Sequence, residues 1–185
     1  MNSSEQNLWI TQTKAGDHKA FEKLVTLFSP LVFTMIYRRL NHRENAEEVA
    51  QDVFLRAYKY LGSYKGQSKF STWLCTIANN ATTTFLQKKN INLEELLPES
   101  HKLASVNQHT LIEKEEQSTS IANAISSLGH DEKQVITLYY QGEQSIREIA
   151  AILNIEENNV KIKLHRARKK LHERLVNNKT MQYEY

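Results

Sequence analysis

Cysteine occurs once in the 185-residue chain, proline twice and glycine five times. A lone thiol, Cys75, cannot close an internal disulfide, so a reducing compartment fits and a small buried hydrophobe is the expected role. So few glycines and prolines leave little of the turn chemistry that a sheet-rich fold demands, which favours helices on short connections. No apolar run reaches the roughly eighteen residues of a membrane span, and MNSSEQNLWITQ lacks the basic stretch and apolar core of a secretory signal. A soluble, cytoplasmic chain without membrane insertion is expected. Equally missing are a glycine-rich phosphate loop, H-x-x-x-H or C-x-x-C pairs and a nucleophile elbow. The seven histidines are scattered, and His165 and His172 sit among cations that would repel a metal. The expectation is a protein that is not an enzyme and carries neither cofactor nor metal.

Charge is present, and unevenly spread. Residues 1–89 hold 12 basic and 7 acidic side chains, residues 90–117 hold 2 and 6, and residues 118–185 hold 10 and 8. Two basic blocks flank an acidic middle, which suggests two polyanion-facing modules on a connector. The apolar rhythm divides the chain in the same way. Phe21, Leu24, Val25, Leu27 and Phe28 start one helical pattern, continued after Pro30 by Leu31, Val32, Met35 and Ile36. AEEVAQDVFLRAYKYL carries a second stripe through Ala46, Val49, Ala50, Val53, Phe54, Ala57, Tyr58 and Leu61, with Asn45 or Asn41 as its cap and Gly62 at its end. Residues 70–88 form a third pattern, with Phe70, Trp73, Leu74, Ile77, Ala78, Ala81 and Phe85 inward. An N-terminal bundle (1–89), a linker (90–117) containing Pro98, and a C-terminal domain (118–185) follow; the fold class is all-α.

In the last block, Ile121, Ala124, Ile125 and Leu128 form a stripe that Gly129 is placed to end. Val135, Ile136, Leu138 and Tyr139 form another, closed by Gly142. SIREIAAILNIEENNVKIKLHRARKKL then reads as a short helix, a tight break and a long basic helix. Ser145 and Glu148 fit a capping box at its start. This is the helix-turn-helix plan, whose second helix enters the DNA major groove. Residues 160–175 contain seven Lys and Arg but one acid, and Val160, Leu164, Ala167, Leu171 and Leu175 share one side. At ~100° per residue, Asn158, Lys161, Ile162, His165, Arg168, Lys169 and His172 fall opposite. Cations there can meet phosphates or guanine edges, and Ile162 suits a thymine methyl or a protein neighbour. The plainer reading is a solvated terminal helix, which the capped helix before it disfavours.

Two further constellations stand out. Glu47, Glu48, Gln51, Asp52, Leu55 and Lys59 lie opposite the stripe of the second helix: either a solvated acidic face or, given Leu55, a small protein-binding patch. YKGQSKFSTWL mixes Tyr64, Lys65, Lys69, Phe70 and Trp73, the aromatic-plus-cation chemistry that holds single-stranded nucleic acid. Phe70 and Trp73 read as core, leaving loop residues 63–69 with Asn79, Asn80 and Thr83 as the functional content.

AEEVAQDVFLRAYKYL, YKGQSKFSTWLCTIANN and the final helix pair, in this order from about Ala15 to Leu175, resemble the extracytoplasmic-function (ECF) group of bacterial RNA polymerase sigma factors. The resemblance implies that the 44–61 helix binds the clamp helices of the polymerase's largest subunit through Glu48, Gln51, Asp52 and Leu55. It implies that residues 63–83 open the promoter −10 element, with Tyr64, Lys65, Lys69, Asn79, Asn80 and Thr83 in contact. The final helix would read the −35 element through Lys161, Ile162, His165, Arg166 and Lys169, with Asn159 near a phosphate. The flap of the second-largest subunit and an anti-sigma factor are further implied partners. The stretch after Ala78, NNATTTFLQKK, is poorer in Arg and Asp than the family pattern, Leu128-Gly129 replaces its Leu-Pro, and a Ser common in the family at the position of Ile162 is absent. The rival reading is a stand-alone helix-turn-helix regulator that binds duplex DNA without polymerase. The two basic modules are also expected to be able to pack together and hide their basic faces in the free chain.

Overall fold

The computed structural model describes residues 3–96 and 116–181. Four helices make the N-terminal bundle: α1 (Ser3–Lys14), α2 (His18–Leu40), α3 (Arg43–Tyr60) and α4 (Phe70–Leu96). A 3₁₀ turn, Leu61–Ser63, follows α3. The C-terminal module holds α5 (Glu116–Ser126), α6 (His130–Ile136), a π turn (Thr137–Gln141), α7 (Ile146–Leu153) and α8 (Glu157–Met181). No strand occurs among the described residues. The expected linker lies mostly outside them, between the end of α4 and the start of α5.

Helix α2 is the axis of the bundle. It runs unbroken through Pro30, as the pattern continued beyond that residue indicates. Proline cannot donate to the carbonyl one turn earlier, but that carbonyl, Thr26 O, takes the Ser29 hydroxyl at 3.5 Å, and Pro30 itself faces outward. Leu24, Phe28, Val32, Met35 and Ile36 therefore form one continuous buried stripe on both sides of it. By length and composition α2 could cross a membrane. Its apolar face instead joins a shared core with Val49, Val53, Leu74 and Ala78, and Lys19, Glu22, Lys23, Arg38 and Arg39 lie along its length.

The helix boundaries have local causes. Asp17 caps α2, its Oδ1 accepting from Lys19 N at 2.9 Å and Ala20 N at 3.3 Å. Asn41 ends α2 rather than opening α3: it adopts a left-handed conformation at φ 52°, donating to Tyr37 O, a geometry asparagine tolerates better than most residues. The α3 cap is His42, whose Nδ1 accepts from Asn45 N. Gly129 likewise opens α6 instead of ending α5, and Glu132 reaches back to its N–H at 3.1 Å. Ile121 is half exposed rather than part of the core stripe. The capping box at Ser145 and Glu148 is present as expected.

After α6 the helix widens into the π turn, in which Gly142 N donates five residues back to Thr137 O at 3.0 Å. Gly142 closes this turn because nothing larger fits: a Cβ there would lie 2.8 Å from Leu138 O. In α8, Val160, Leu164 and Ala167 are buried, locking the long helix onto α5, α6 and α7. The two halves also pack on each other, α2 against α6 and α4 against α7, and the apolar core is continuous between them.

Gly142→Ala should destabilise the chain by about 1–3 kcal/mol through that clash. Gly62→Ala, with nothing within 4 Å of the added methyl, serves as the control. Comparison of denaturant midpoints decides it; equal midpoints would show that the π turn yields freely.

Candidate nucleic-acid interface

On α3 the apolar stripe fixes the orientation of everything else. With Ala46, Val49, Val53 and Ala57 buried, Glu48, Gln51 and Leu55 are thrust outward, and Leu55 is 71 % exposed. Asp52 is half-buried and pairs with Arg56 at 2.8 Å, one turn along. Glu48, Gln51, Asp52 and Leu55 thus share one outward face of α3.

The loop 64–69 is organised by aromatics. Tyr64, Phe70 and Trp73 lie with ring centroids 5.4–5.5 Å apart; Phe70 is buried and the other two are half-buried. The Tyr64 hydroxyl donates to Ser68 O at 2.7 Å, and Lys14 reaches from α1 to Tyr64 O. Burial raises the Tyr64 pKa, so it stays a neutral donor. Lys65 and Asn80 are exposed, while Thr83 is half-buried and donates to Asn79 O. Cys75 is fully buried and burial pushes its thiol up to about 12, which makes it a core residue and not a reactive one.

Lys69 and Asn79 are already engaged, and by the other half of the chain. Lys69 Nζ meets Glu148 Oε2 at 3.4 Å and Glu143 O at 3.3 Å. Asn79 is buried; its Nδ2 donates to Ile152 O at 3.0 Å and its Oδ1 accepts from Arg39. Between them, Gln144 is 2 % exposed. It accepts from the Thr72 hydroxyl at 2.7 Å and donates to Ser71 Oγ at 2.8 Å. Arg38 hydrogen-bonds Thr137 in the π turn. Sequence reasoning missed Thr72, Gln144, Arg38 and Thr137. The available signal was Gln144: the position before an N-cap usually holds an apolar residue that staples the helix start.

On α8, Asn159, Lys161, Ile162, His165, Arg166 and Lys169 are all exposed along one outward surface. The cations nearest the module's own body are spoken for: Lys163 pairs with Asp131, and Lys170 with Glu132 at 2.8 Å. Arg168 lies over the Tyr139 and Tyr140 rings and donates to the Tyr140 hydroxyl at 2.9 Å. Lys161 and Arg166 are solvent-exposed with Ile162 between them, and the Arg166 charge also acts on Glu132.

A carboxylate-and-leucine face, an aromatic-cation loop and a helix-turn-helix thus occur on one chain. The Sigma-70 region 2 family model matches residues 24–91, and the Sigma-70, region 4 model matches residues 118–171. The ECF RNA polymerase sigma factor SigW of Bacillus subtilis (strain 168) is 35 % identical over 176 residues, covering 90 % of this chain and 94 % of the relative. The chain belongs to the ECF sigma factors. It is a polymerase-binding factor that confers promoter-specific initiation. The ECF sigma-E factor of Escherichia coli (strain K12) is also similar, 28 % identical over 169 residues, with 86 % of this chain and 88 % of the relative covered. Among solved structures, the sigma factor RpoE in complex with the anti-sigma factor NepR from Bartonella quintana matches with a TM-score of 0.68 at 23 % identity, covering 85 % of this chain and 97 % of that one. At that identity the likeness speaks to the fold of this sigma factor.

Glu148 and Glu132 are ionised against their burial. For Glu148, burial opposes charge, but bonds from Ser145 and Thr72 and the Lys69 ammonium hold the carboxyl below its ordinary value. For Glu132, burial is outweighed by Lys170, the Gly129 N–H and the Arg166 charge. A depressed folded-state pKa contributes stability that is fully present above the unfolded value of about 4.3 and is lost as pH falls through the lower folded value. The melting temperature should therefore drop as pH is lowered below about 4.3, and drop less in Glu148→Gln and Glu132→Gln. Parallel profiles for all three proteins would remove these carboxylates from the acid response.

Proposed function

We propose that this sigma factor divides its work among three surfaces. The outward face of α3, with Glu48, Gln51, Asp52 and Leu55, grips the clamp helices of the largest polymerase subunit. The loop before α4 and the α4 residues Tyr64, Lys65, Lys69, Asn79, Asn80 and Thr83 hold the opened −10 element. Aromatic stacking and backbone charge are the chemistry that suits single strands. Helix α8 reads the −35 element through Lys161, Ile162, His165, Arg166 and Lys169, with Asn159 at a phosphate and the C-terminal module against the flap of the second-largest subunit. The functional division is 1–89, 90–117 and 118–185, with the acidic middle threading the polymerase as a polyanion mimic. The factor works in the cytoplasm, without membrane insertion and without chemistry, metal or cofactor of its own.

The observation that carries this reading is Leu55 at 71 % exposure flanked by Glu48 and Asp52. Both sigma regions on one chain, matched over residues 24–91 and 118–171, support its use against polymerase. An anti-sigma partner is part of the proposal: the similar RpoE is described in complex with NepR, and CnrH, which is 20 % identical with a TM-score of 0.63, in complex with the cytosolic domain of CnrY.

Transcription with purified bacterial core polymerase on a genomic fragment library tests it. Adding the chain should create defined start sites, and Glu48→Lys with Asp52→Lys should abolish them. Transcription that survives those reversals would refute the clamp assignment. Lys161→Ala and Arg166→Ala should instead change which promoters fire, each weakening binding by roughly 1–3 kcal/mol where a base is read, or lowering the salt dependence where a phosphate is met. A tight footprint by the chain alone, to which core polymerase adds nothing, would favour the stand-alone regulator.

A further inference from the structure

Packing of the two halves leaves the outward side of α8 in solvent, so that basic face is not hidden. With Val160, Leu164 and Ala167 buried, a turn of ~100° per residue points Asn158, Ile162, His165 and Lys169 most directly away from the module. Three members of this row already belong to the −35 reading. Asn158, at its leading end, does not.

An asparagine inside a helix calls for a reason, since its helix propensity is low. Its usual place is the N-cap, but the cap of α8 is Glu156, whose carbonyl accepts from Val160 N at 3.2 Å. Among the described residues, the Asn158 carboxamide takes no hydrogen-bond partner. The cleft beside the corner is lined by Asn154, Glu157 and Asn159, and Asn158 is turned away from it. Asn158 is exposed, so core packing does not account for it either.

We propose that Asn158 is a specificity-determining residue of the −35 contact, pairing with the major-groove edge of an adenine. This rests on the assignment of α8 to the −35 element and adds the base that the leading end of the helix takes. A recognition helix meets base edges with its N-terminal residues, and Asn158 is the second residue of α8. Its amide nitrogen donates and its amide oxygen accepts. Adenine alone presents the complement, N7 accepting beside an N6 amino group that donates, whereas guanine presents two acceptors there. Cytosine and thymine each offer a single polar partner. Ile162 lies four residues on, about 6 Å along the axis, which is less than two base-pair steps of about 3.4 Å. It has no polar atom for a base edge, and a thymine methyl is what suits it. The leading turns of α8 therefore select an adenine at Asn158 and favour a thymine within two pairs of it. Lys161 and Arg166, on the flanks, take guanine edges or phosphates.

Transcription by core polymerase with the full chain, on a promoter library randomised across the −35 element, tests the assignment. Wild type should favour adenine over guanine at one position by about tenfold. Asn158→Ala, which suits a helix better than asparagine, should erase that preference and leave the other positions unaltered. It should also leave the salt dependence of promoter binding unchanged, because no charge is removed. Asn158→Asp should move the preference toward cytosine, whose N4 amino group donates to a carboxylate. Replacing the chosen adenine by 7-deazaadenine, which lacks the N7 acceptor, should weaken wild type and leave Asn158→Ala unaffected. A wild type without an adenine preference, or a preference that survives Asn158→Ala, would overturn the inference. A uniform loss across all sequences, or a shallower salt dependence, would overturn it too, by placing Asn158 at the backbone. If Lys161→Ala shifts promoter choice and Asn158→Ala does not, the −35 assignment of α8 stands and only this inference falls. If neither shifts it, α8 is not the reading helix and both fall.

Discussion

A glutamine side chain removed almost wholly from water is the constraint around which this molecule is arranged. Gln144 has donors and an acceptor that must all be satisfied once it is buried, since an unpartnered amide in such a place costs about 1–3 kcal/mol. Its partners come from both sides: Gly142 O within its own turn, Ser71 and Thr72 from α4. The requirement reaches upstream as well. Gly142 must be glycine for the π turn to close under Leu138 O, and that closure is what brings Gln144 to the surface of α4. The start of α7 is tied in the same place, because Glu148 serves the capping box and meets Thr72 and Lys69 together.

The sorting of charge on α8 follows from its position. A helix with this many cations packed on a module of near-neutral balance would repel itself unless the inner ones were neutralised. Asp131 and Glu132, in the first turn of α6, do this for Lys163 and Lys170, and the two tyrosines of the π turn cradle Arg168. Both carboxylates also suit the positive end of the α6 dipole. Lys161 and Lys169, which pair with neither of these carboxylates, lie on the exposed side. The basic surface is what remains after the structural pairs have been made.

Much of this was legible in the residues. The stripe Val160, Leu164, Ala167 was read correctly because a long helix with a strict rhythm leaves little freedom, and the Ser145–Glu148 box because its two bonds are local. The exposure of Leu55 was legible for the same reason. Boundaries set by backbone conformation were harder. Asn41 and Gly129 were each recognised as punctuation but assigned to the wrong side of the break, since both residue types serve at helix starts and at helix ends. The π turn was invisible, because its bonds differ from those of an α-helix by one residue and no side-chain pattern marks that. The junction of the halves depends on residues about 70 positions apart, which no local pattern can report, and burial of Asn79 follows from it.

One bond has a mechanical corollary. The amide of Asn79 supplies the donor that the final turn of α7 lacks, so the length of that helix is partly maintained by a residue from the opposite module. That brace sits next to the three-residue corner, 154–156, that leads into α8. A change at position 79 in one module therefore reaches the setting of α8 in the other, through a single carbonyl left without its donor.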